Sequence, residues 1–301
     1  MKRLIAFIVA LGLLVSFAAR ARADMRIVAT TPDLAAIARE VGGSHVTVTA
    51  LALHSQDPHF VDPRPHLALD LAKADLLLAT GLDLEIGWLP TLQTGSRNGS
   101  IQKGSPGYLD CSTLVSLLEV PSEKVDRSQG DVHPQGNPHY LLDPRRGAKV
   151  AVGIARRMGE IDPANAAAYE SAAKQLSSKL DSARKGWESK LSGARGKKIV
   201  AYHRSLPYLA DWLGLDVVEH LEPRPGIPPN PRHVAHVIDI AKQQDARAIV
   251  QQSFYPDNVS KLVAKRAGVA VCTLPGGPDF RAGQSYEKYI DRVVKALKKA
   301  L

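Results

Sequence analysis

Short apolar runs alternating with helical patterns place the strongest constraint on this chain. Arg26 to Ala29 reads as a buried strand, and Thr31, Pro32 and Asp33 then open a helix over Leu34 to Val41 that Gly42 and Gly43 stop. Val46 to Leu53 is a second strand, residues 54–66 are loop-like, His66 to Lys73 is helical, and Asp75 to Ala79 is a third strand. The rhythm returns with strands at Lys198 to Tyr202, from Val217, at Ala248 to Gln251 and at Val269 to Leu274. Helices at Ser205 to Leu213, Val234 to Gln243, Asp257 to Ala267 and Tyr286 to Leu301 separate or follow them. Repeated strand–helix–strand units predict parallel sheets. Between the two series, Arg145 to Gly159 has helical spacing, and a longer helical pattern runs from Pro163 to Leu191 with Gly193 just past its end. Residues 93–107 and 121–138 read as loops. The expected architecture is α/β: two Rossmann-like lobes with parallel sheets, 24–162 and 194–301, joined by one long backbone helix over 163–193.

The first 23 residues stand outside this pattern. Lys2 and Arg3 precede an apolar run from Leu4 to Ala19, and Ala21-Arg22-Ala23 supplies small residues at a cleavage site. The run is shorter than the roughly 20 residues that span a bilayer, so 1–23 reads as a cleavable secretory signal. Removing Lys2, Arg3, Arg20 and Arg22 lowers the formal charge from +9 to +5, too modest to require nucleic acid as a partner. Aromatics make up only 5% of the chain, which argues against stacking platforms for single strands. With no cysteine near the cut, the expectation is a soluble periplasmic protein without a lipid-attachment cysteine or stable membrane insertion. The two cysteines, Cys111 and Cys272, cannot form a disulfide framework or a four-cysteine zinc site. They are expected to be unpaired.

Ten histidines are present, and three have informative positions. His59 lies in Asp57-Pro58-His59, after the second strand. His139 lies in Asn137-Pro138-His139, and His203 follows the strand ending at Tyr202. Ligands of open α/β sheets bind outside the carboxyl ends of strands, and proline before two of these rings stiffens the backbone that presents them. The neighbouring motifs are specific: Thr30-Thr31-Pro32, Gln56-Asp57-Pro58-His59-Phe60, Lys73-Ala74-Asp75-Leu76 with Thr80-Gly81, Gly136-Asn137-Pro138-His139, Asp143-Pro144, Tyr202-His203 and Glu222-Pro223-Arg224-Pro225-Gly226-Ile227. In this order and over essentially the whole mature chain, they resemble the metal-binding solute-binding proteins of ABC transporters, the family of zinc and manganese receptors.

The resemblance implies two lobes bridged by a rigid helix, with one metal in the cleft. It places three ligands on His59, His139 and His203. The family's fourth ligand, an aspartate on the loop before the last helix, falls on Asp279, although here Gly276-Gly277-Pro278 intervenes after the strand. Gln252 stands where the family often carries a glutamate and is expected to support the ligands from behind. His133, with Asp126 and Asp131, is the remnant of a histidine-rich loop and reads first as a solvated side chain, with transient metal capture as the alternative. His54 reads as a surface residue and His66 as a helix start; His233 and His236 fit a helix face.

Three imidazoles and one carboxylate suit one Zn2+ per chain better than Mn2+, which prefers more oxygen. The expected function is high-affinity zinc capture and delivery to an ABC transporter membrane permease by a monomeric receptor that is not an enzyme. A zinc-dependent hydrolase or a metallochaperone using the same histidines is the alternative, and a periplasmic metallochaperone is a further partner class. A hydrolase needs an open coordination position for water, and no P-loop or GxGxxG is present.

Overall fold

The computed structural model describes residues 24–123, 125, 130 and 132–301. The signal-like segment 1–23, Asp126 and Asp131 lie outside the described residues. Two four-stranded, all-parallel sheets form the frame. The first has strands β1 (Met25–Ala29), β2 (Val46–Ala50), β3 (Leu76–Ala79) and β4 (Tyr108–Asp110) in the order β2-β1-β3-β4. The second has β5 (Lys198–Ala201), β6 (Asp216–His220), β7 (Ala248–Gln252) and β8 (Ala270–Leu274) in the order β6-β5-β7-β8. Central strands such as Leu76 to Ala79 are buried along their whole length, as expected of parallel strands covered on both faces.

Helices α1 (Pro32–Gly42), α2 (Pro65–Ala72) and α3 (Leu89–Ser96) belong to the first lobe, and α6 (Pro207–Leu213), α7 (Pro231–Gln243), α8 (Asn258–Ala267) and α9 (Tyr286–Ala300) follow in the second half. Between them run α4 (Pro144–Ile161) and α5 (Ala166–Lys190). At 25 residues and 1.5 Å per residue, α5 is about 38 Å long. Its first turn over Pro163–Asn165 is 3-10 rather than α. Helix α3 and strand β4 fall in or beside a stretch that reads as loop, because neither has a strong local signal. Both form through packing: Leu89, Leu92 and Ile101 bury with Trp88 in one cluster, and such context overrides weak propensity.

One apolar core runs through both lobes. It includes Ile27 and Leu78 of the first sheet, Leu176 and Trp187 of α5, Ile199 and Val250 of the second sheet, and Val293 of α9. Polar contacts tie the lobes as well. Asp143, fully buried, caps α4 by accepting the Arg145 N–H at 2.8 Å and pairs with the guanidinium groups of Arg145 and Arg146. Both arginines also reach Asp211 on α6, at 2.6 and 3.3 Å. Removing Asp143 would leave the largely buried Arg146 guanidinium without its carboxylate, a change that costs on the order of 3–5 kcal/mol. Gly147 allows α4 to approach α9, since a Cβ there would stand 2.5 Å from the Tyr286 ring. Cys111 and Cys272 are both free and buried. Among the described residues, no helix is long and apolar enough to cross a membrane.

Candidate metal centre

Two turns of the same design deliver His59 and His139. In the first, the Asp57 carboxylate accepts the His59 backbone N–H at 3.0 Å; in the second, the Asn137 side-chain oxygen accepts the His139 N–H, also at 3.0 Å. These are Asx turns, each with proline at the central position. The first turn is anchored by Trp88, whose buried indole donates to the Pro58 carbonyl at 2.9 Å. The second is anchored across the cleft. Tyr208 on α6 donates to the Asn137 carbonyl at 2.7 Å, and the Asn137 amide donates to the Arg204 carbonyl at 2.7 Å.

His203 comes from the second lobe with no loop in between. Strand β5 ends at Ala201, and the Tyr202 N–H still donates to Val250 O at 2.8 Å. The next residue is His203, 3% exposed. Glu222 N–H donates to Tyr202 O at 3.0 Å, which brings the Glu222 carboxylate beside the histidine ring.

The three rings close on one point. Each offers a nitrogen, and these atoms lie within 4.8 Å of one another. Ring centroids are 5.1 Å apart for His59 and His203, 5.3 Å for His59 and His139, and 5.5 Å for His139 and His203. The tautomers are set from behind. His59 Nδ1 meets Asp57 at 2.7 Å and His203 Nδ1 meets Glu222 at 2.6 Å. A carboxylate on Nδ1 holds the proton there and leaves the Nε2 lone pair for a metal, the usual support of an imidazole ligand.

His139 is prepared differently. Its Nε2 is shielded from solvent and has no hydrogen-bond partner. Burial pushes its imidazole well below the ordinary range, and the neighbouring His59, His203 and His133 push in the same direction. The ring is therefore held neutral, the form that ligates. Burial acts to raise the Asp57 carboxyl, but its hydrogen bond and charge attraction to His59 prevail and hold it below the usual carboxylate range. The Gln252 Oε1 is likewise buried without a partner in the cavity that His139 lines, while its amide donates to Ser205 at 2.6 Å.

The structure brings together His59, His139 and His203 but not Asp279. Asp279 is absent from the group of mutually close ligand atoms and has a 39% exposed side chain, 3.8 Å from His54 Nδ1. Its loop is committed elsewhere. The Asp279 carboxylate accepts the Ala282 N–H at 3.1 Å, and its own N–H donates to Gln284 at 2.7 Å. Arg39 of the first lobe donates to the carbonyls of Phe280 and Gln284 at 3.0 and 2.8 Å and fixes that turn.

His133 also departs from its reading as a solvated side chain. Its Nε2 stands 3.3 Å from His59 Nε2. Sequence reasoning passed over Asp57 and Glu222 as partners of the histidines. The i, i+2 spacing of Asp-Pro-His carried a signal for the first; Glu222 is found only through strand pairing.

Parallel four-stranded sheets in two lobes and a long helix thus frame a cluster of imidazoles drawn from both lobes. The family described as zinc-uptake complex component A periplasmic (ZnuA) matches residues 27–300, and the chain belongs to that family. The metal ABC transporter substrate-binding lipoprotein SloC of Streptococcus mutans is 25% identical over 281 residues, 90% of this chain and 88% of SloC. The manganese ABC transporter substrate-binding lipoprotein PsaA of Streptococcus mitis is 23% identical over 252 residues, 82% of this chain and 78% of PsaA. A crystal structure of ZnuA superposes with a TM-score of 0.77 at 22% identity, over 92% of this chain and 99% of that one. SloC and PsaA are both named as substrate-binding proteins of ABC transporters.

Proposed function

We propose that this chain captures one divalent transition-metal ion, zinc before manganese, through His59, His139 and His203, and hands it to the permease of an ABC transporter. The metal is cargo. The observation that carries the reading is the convergence of three imidazoles from both lobes, with ligand nitrogens within 4.8 Å of one another. The orphaned, buried Nε2 of His139 adds to it, because a buried acceptor without a partner is costly unless an ion occupies it. The choice of zinc rests on donor chemistry: neutral imidazoles suit zinc, and manganese is better served by carboxylates. The family description names zinc and PsaA is a manganese protein, so the ion is tested directly.

Mature protein stripped of metal is titrated with zinc and with manganese against competing chelators. One zinc per chain, bound more tightly than manganese, supports the reading. Failure to bind either ion removes it, and tighter manganese overturns the assignment of zinc. Lobes 24–162 and 194–301 are proposed to move little about the linking helix 163–193, so scattering profiles of stripped and loaded protein should nearly coincide.

The site of action is proposed to be the periplasm, after cleavage behind Ala23. SloC and PsaA are named lipoproteins, and both cysteines of this chain, at 111 and 272, are buried in the fold. The intact mass of exported protein tests this: an unmodified chain beginning at Asp24 supports release, and a retained or lipid-bearing N-terminus overturns it.

A further inference from the structure

The three-histidine group leaves a tetrahedral ion one ligand short, and the structure points to a residue for that place. His133 stands beside His59 with ring centroids 5.4 Å apart, and 6.4 Å from His139. Its Nδ1 lies 2.7 Å from the Leu82 carbonyl oxygen. A carbonyl only accepts, so His133 Nδ1 carries a proton, and Nε2 is the nitrogen turned toward His59. His59, with Nδ1 on the Asp57 carboxylate, is in the same state. The two Nε2 atoms thus face each other at 3.3 Å, a spacing that one proton or one cation between them can hold.

The distance itself is informative. Nitrogens each about 2.0–2.1 Å from a tetrahedral zinc stand about 3.3–3.4 Å apart. The acceptor behind His133 is also a built feature. Gly81 and Leu82 both have positive φ, 83° and 55°, so the chain turns sharply after β3 with a left-handed leucine, an uncommon conformation for a side chain of this kind. The Leu82 side chain is buried, and its carbonyl is the atom that holds the His133 ring.

We propose that His133 is the fourth metal ligand, in the place expected of Asp279, so that the ion is held by four imidazoles. The inference rests on the metal-binding reading above. His133 is not within the mutual 4.8 Å group, so its ring draws inward from its place against His59 when the ion binds. The directly bound groups then carry no charge, and the anions Asp57 and Glu222 act only through His59 and His203. Such a set favours zinc, nickel or copper over manganese more strongly than three imidazoles and a carboxylate would.

The test is zinc X-ray absorption on the loaded mature protein, with competitive zinc and manganese titrations of the parent, His133→Asn and His133→Ala. His133→Asn is the sharper variant, because its amide can still donate to Leu82 O while Nε2 is lost; melting of the stripped proteins checks that each folds. Four imidazoles in the parent and three in His133→Asn are expected. Zinc affinity should fall at least about 10–100-fold, the loss typical of groups that merely support a ligand, and the preference for zinc over manganese should shrink. Three imidazoles plus oxygen in the parent, with His133→Asn binding zinc as the parent does, overturn the inference but leave the three-histidine reading standing. That result would assign the close His59–His133 pair to a shared proton. A parent that binds no metal overturns both.

Discussion

The two lobes are built on one plan and furnish the site by different means. Ala29 pairs with Ala50 and Leu78 in the first sheet as Ala201 pairs with His220 and Val250 in the second. The ladder continues identically past the strand ends: Thr30 donates to Leu78 O and Ala52 to Thr30 O, while Tyr202 donates to Val250 O and Glu222 to Tyr202 O. Thr31 therefore corresponds to His203, and Ala52 to Glu222. In the second lobe these positions are a metal-ligand candidate and the carboxylate that orients it. In the first lobe the strand-end threonine Thr30 instead serves the buried Glu85, which accepts from the Thr30 hydroxyl at 2.6 Å and the Thr80 N–H at 2.7 Å. The first lobe hangs its histidines from turns. A strand end is positioned by the sheet, whereas a turn needs its own fastening, and the Asx bonds, Trp88 and Tyr208 supply it.

If both means serve one ion, removing a ligand from either lobe should have the largest effect. His203→Ala, His139→Ala and His59→Ala are each expected to weaken zinc by more than the roughly 100-fold that marks the upper end for supporting groups, with the stripped proteins still folded. Chelator competition measures this. Loss confined to the first-lobe variants would break the comparison, because the strand-end histidine would then be idle.

The next effect concerns the carboxylates behind the rings. Glu222→Gln and Asp57→Asn keep size and local hydrogen bonding but remove the charge that holds Nδ1–H. Each should cost about 10–100-fold in zinc affinity. Asn137→Ala breaks the turn of His139 without touching its ring, so its main effect should be on stability, about 1–3 kcal/mol for the groups left unpaired. Denaturant unfolding of stripped protein beside zinc titration separates the two kinds of change. An Asn137→Ala variant with parental stability would show that the turn's polar contacts matter less than proline in presenting His139.

Much of this comparison was legible in the sequence, and the remainder was not for identifiable reasons. The strand–helix rhythm marked seven of the eight strands found among the described residues, because buried parallel strands are apolar runs with turn residues beside them. Strand β4, three residues long, has no periodicity to read. The prolines and the motif order singled out His59, His139 and His203, which the fold brings together. Asp279 was assigned by its place in a loop, and loop direction depends on contacts such as that of Arg39 with Phe280, 241 residues apart in sequence. His133 was read first as a solvated side chain for the converse reason: nothing local marks a histidine that meets Leu82 only after folding.

A smaller effect separates Glu85 from Glu222. Burial raises the Glu85 carboxyl above its ordinary range, and its hydrogen bonds from Thr30, Thr80 and Gly81 only partly oppose this. The folded state therefore favours the protonated acid more than the unfolded chain does. The stability contribution is full below the unfolded value, about 4.3, and is lost as pH rises through the higher folded value. Glu85→Gln should flatten that fall in stripped protein and leave zinc affinity unchanged, whereas Glu222→Gln should alter affinity. Unfolding across about pH 4 to 8, read as the difference between parent and variant, checks it. A Glu85→Gln variant with the parental pH profile would show that this carboxylate is not held toward its acid form.

The smallest expected effect is that of Asp279→Ala. Were the second lobe to supply two ligands, one at a strand end and one on a loop, Asp279 would have to leave a turn in which it accepts the Ala282 N–H and is flanked by carbonyls bound to Arg39. It would also have to leave the side of His54 for the cluster around His203. Releasing those bonds costs free energy that binding would have to recover. His133 already stands 3.3 Å from His59. Zinc affinity of Asp279→Ala should therefore stay within about twofold of the parent, roughly 0.4 kcal/mol, while His133→Asn loses affinity. The two variants measured side by side decide between the lobes. A large loss from Asp279→Ala with none from His133→Asn would return the fourth ligand to the second lobe and require the 275–285 loop to swing inward on metal binding. A large loss from both would mean that the loaded site draws on both loops.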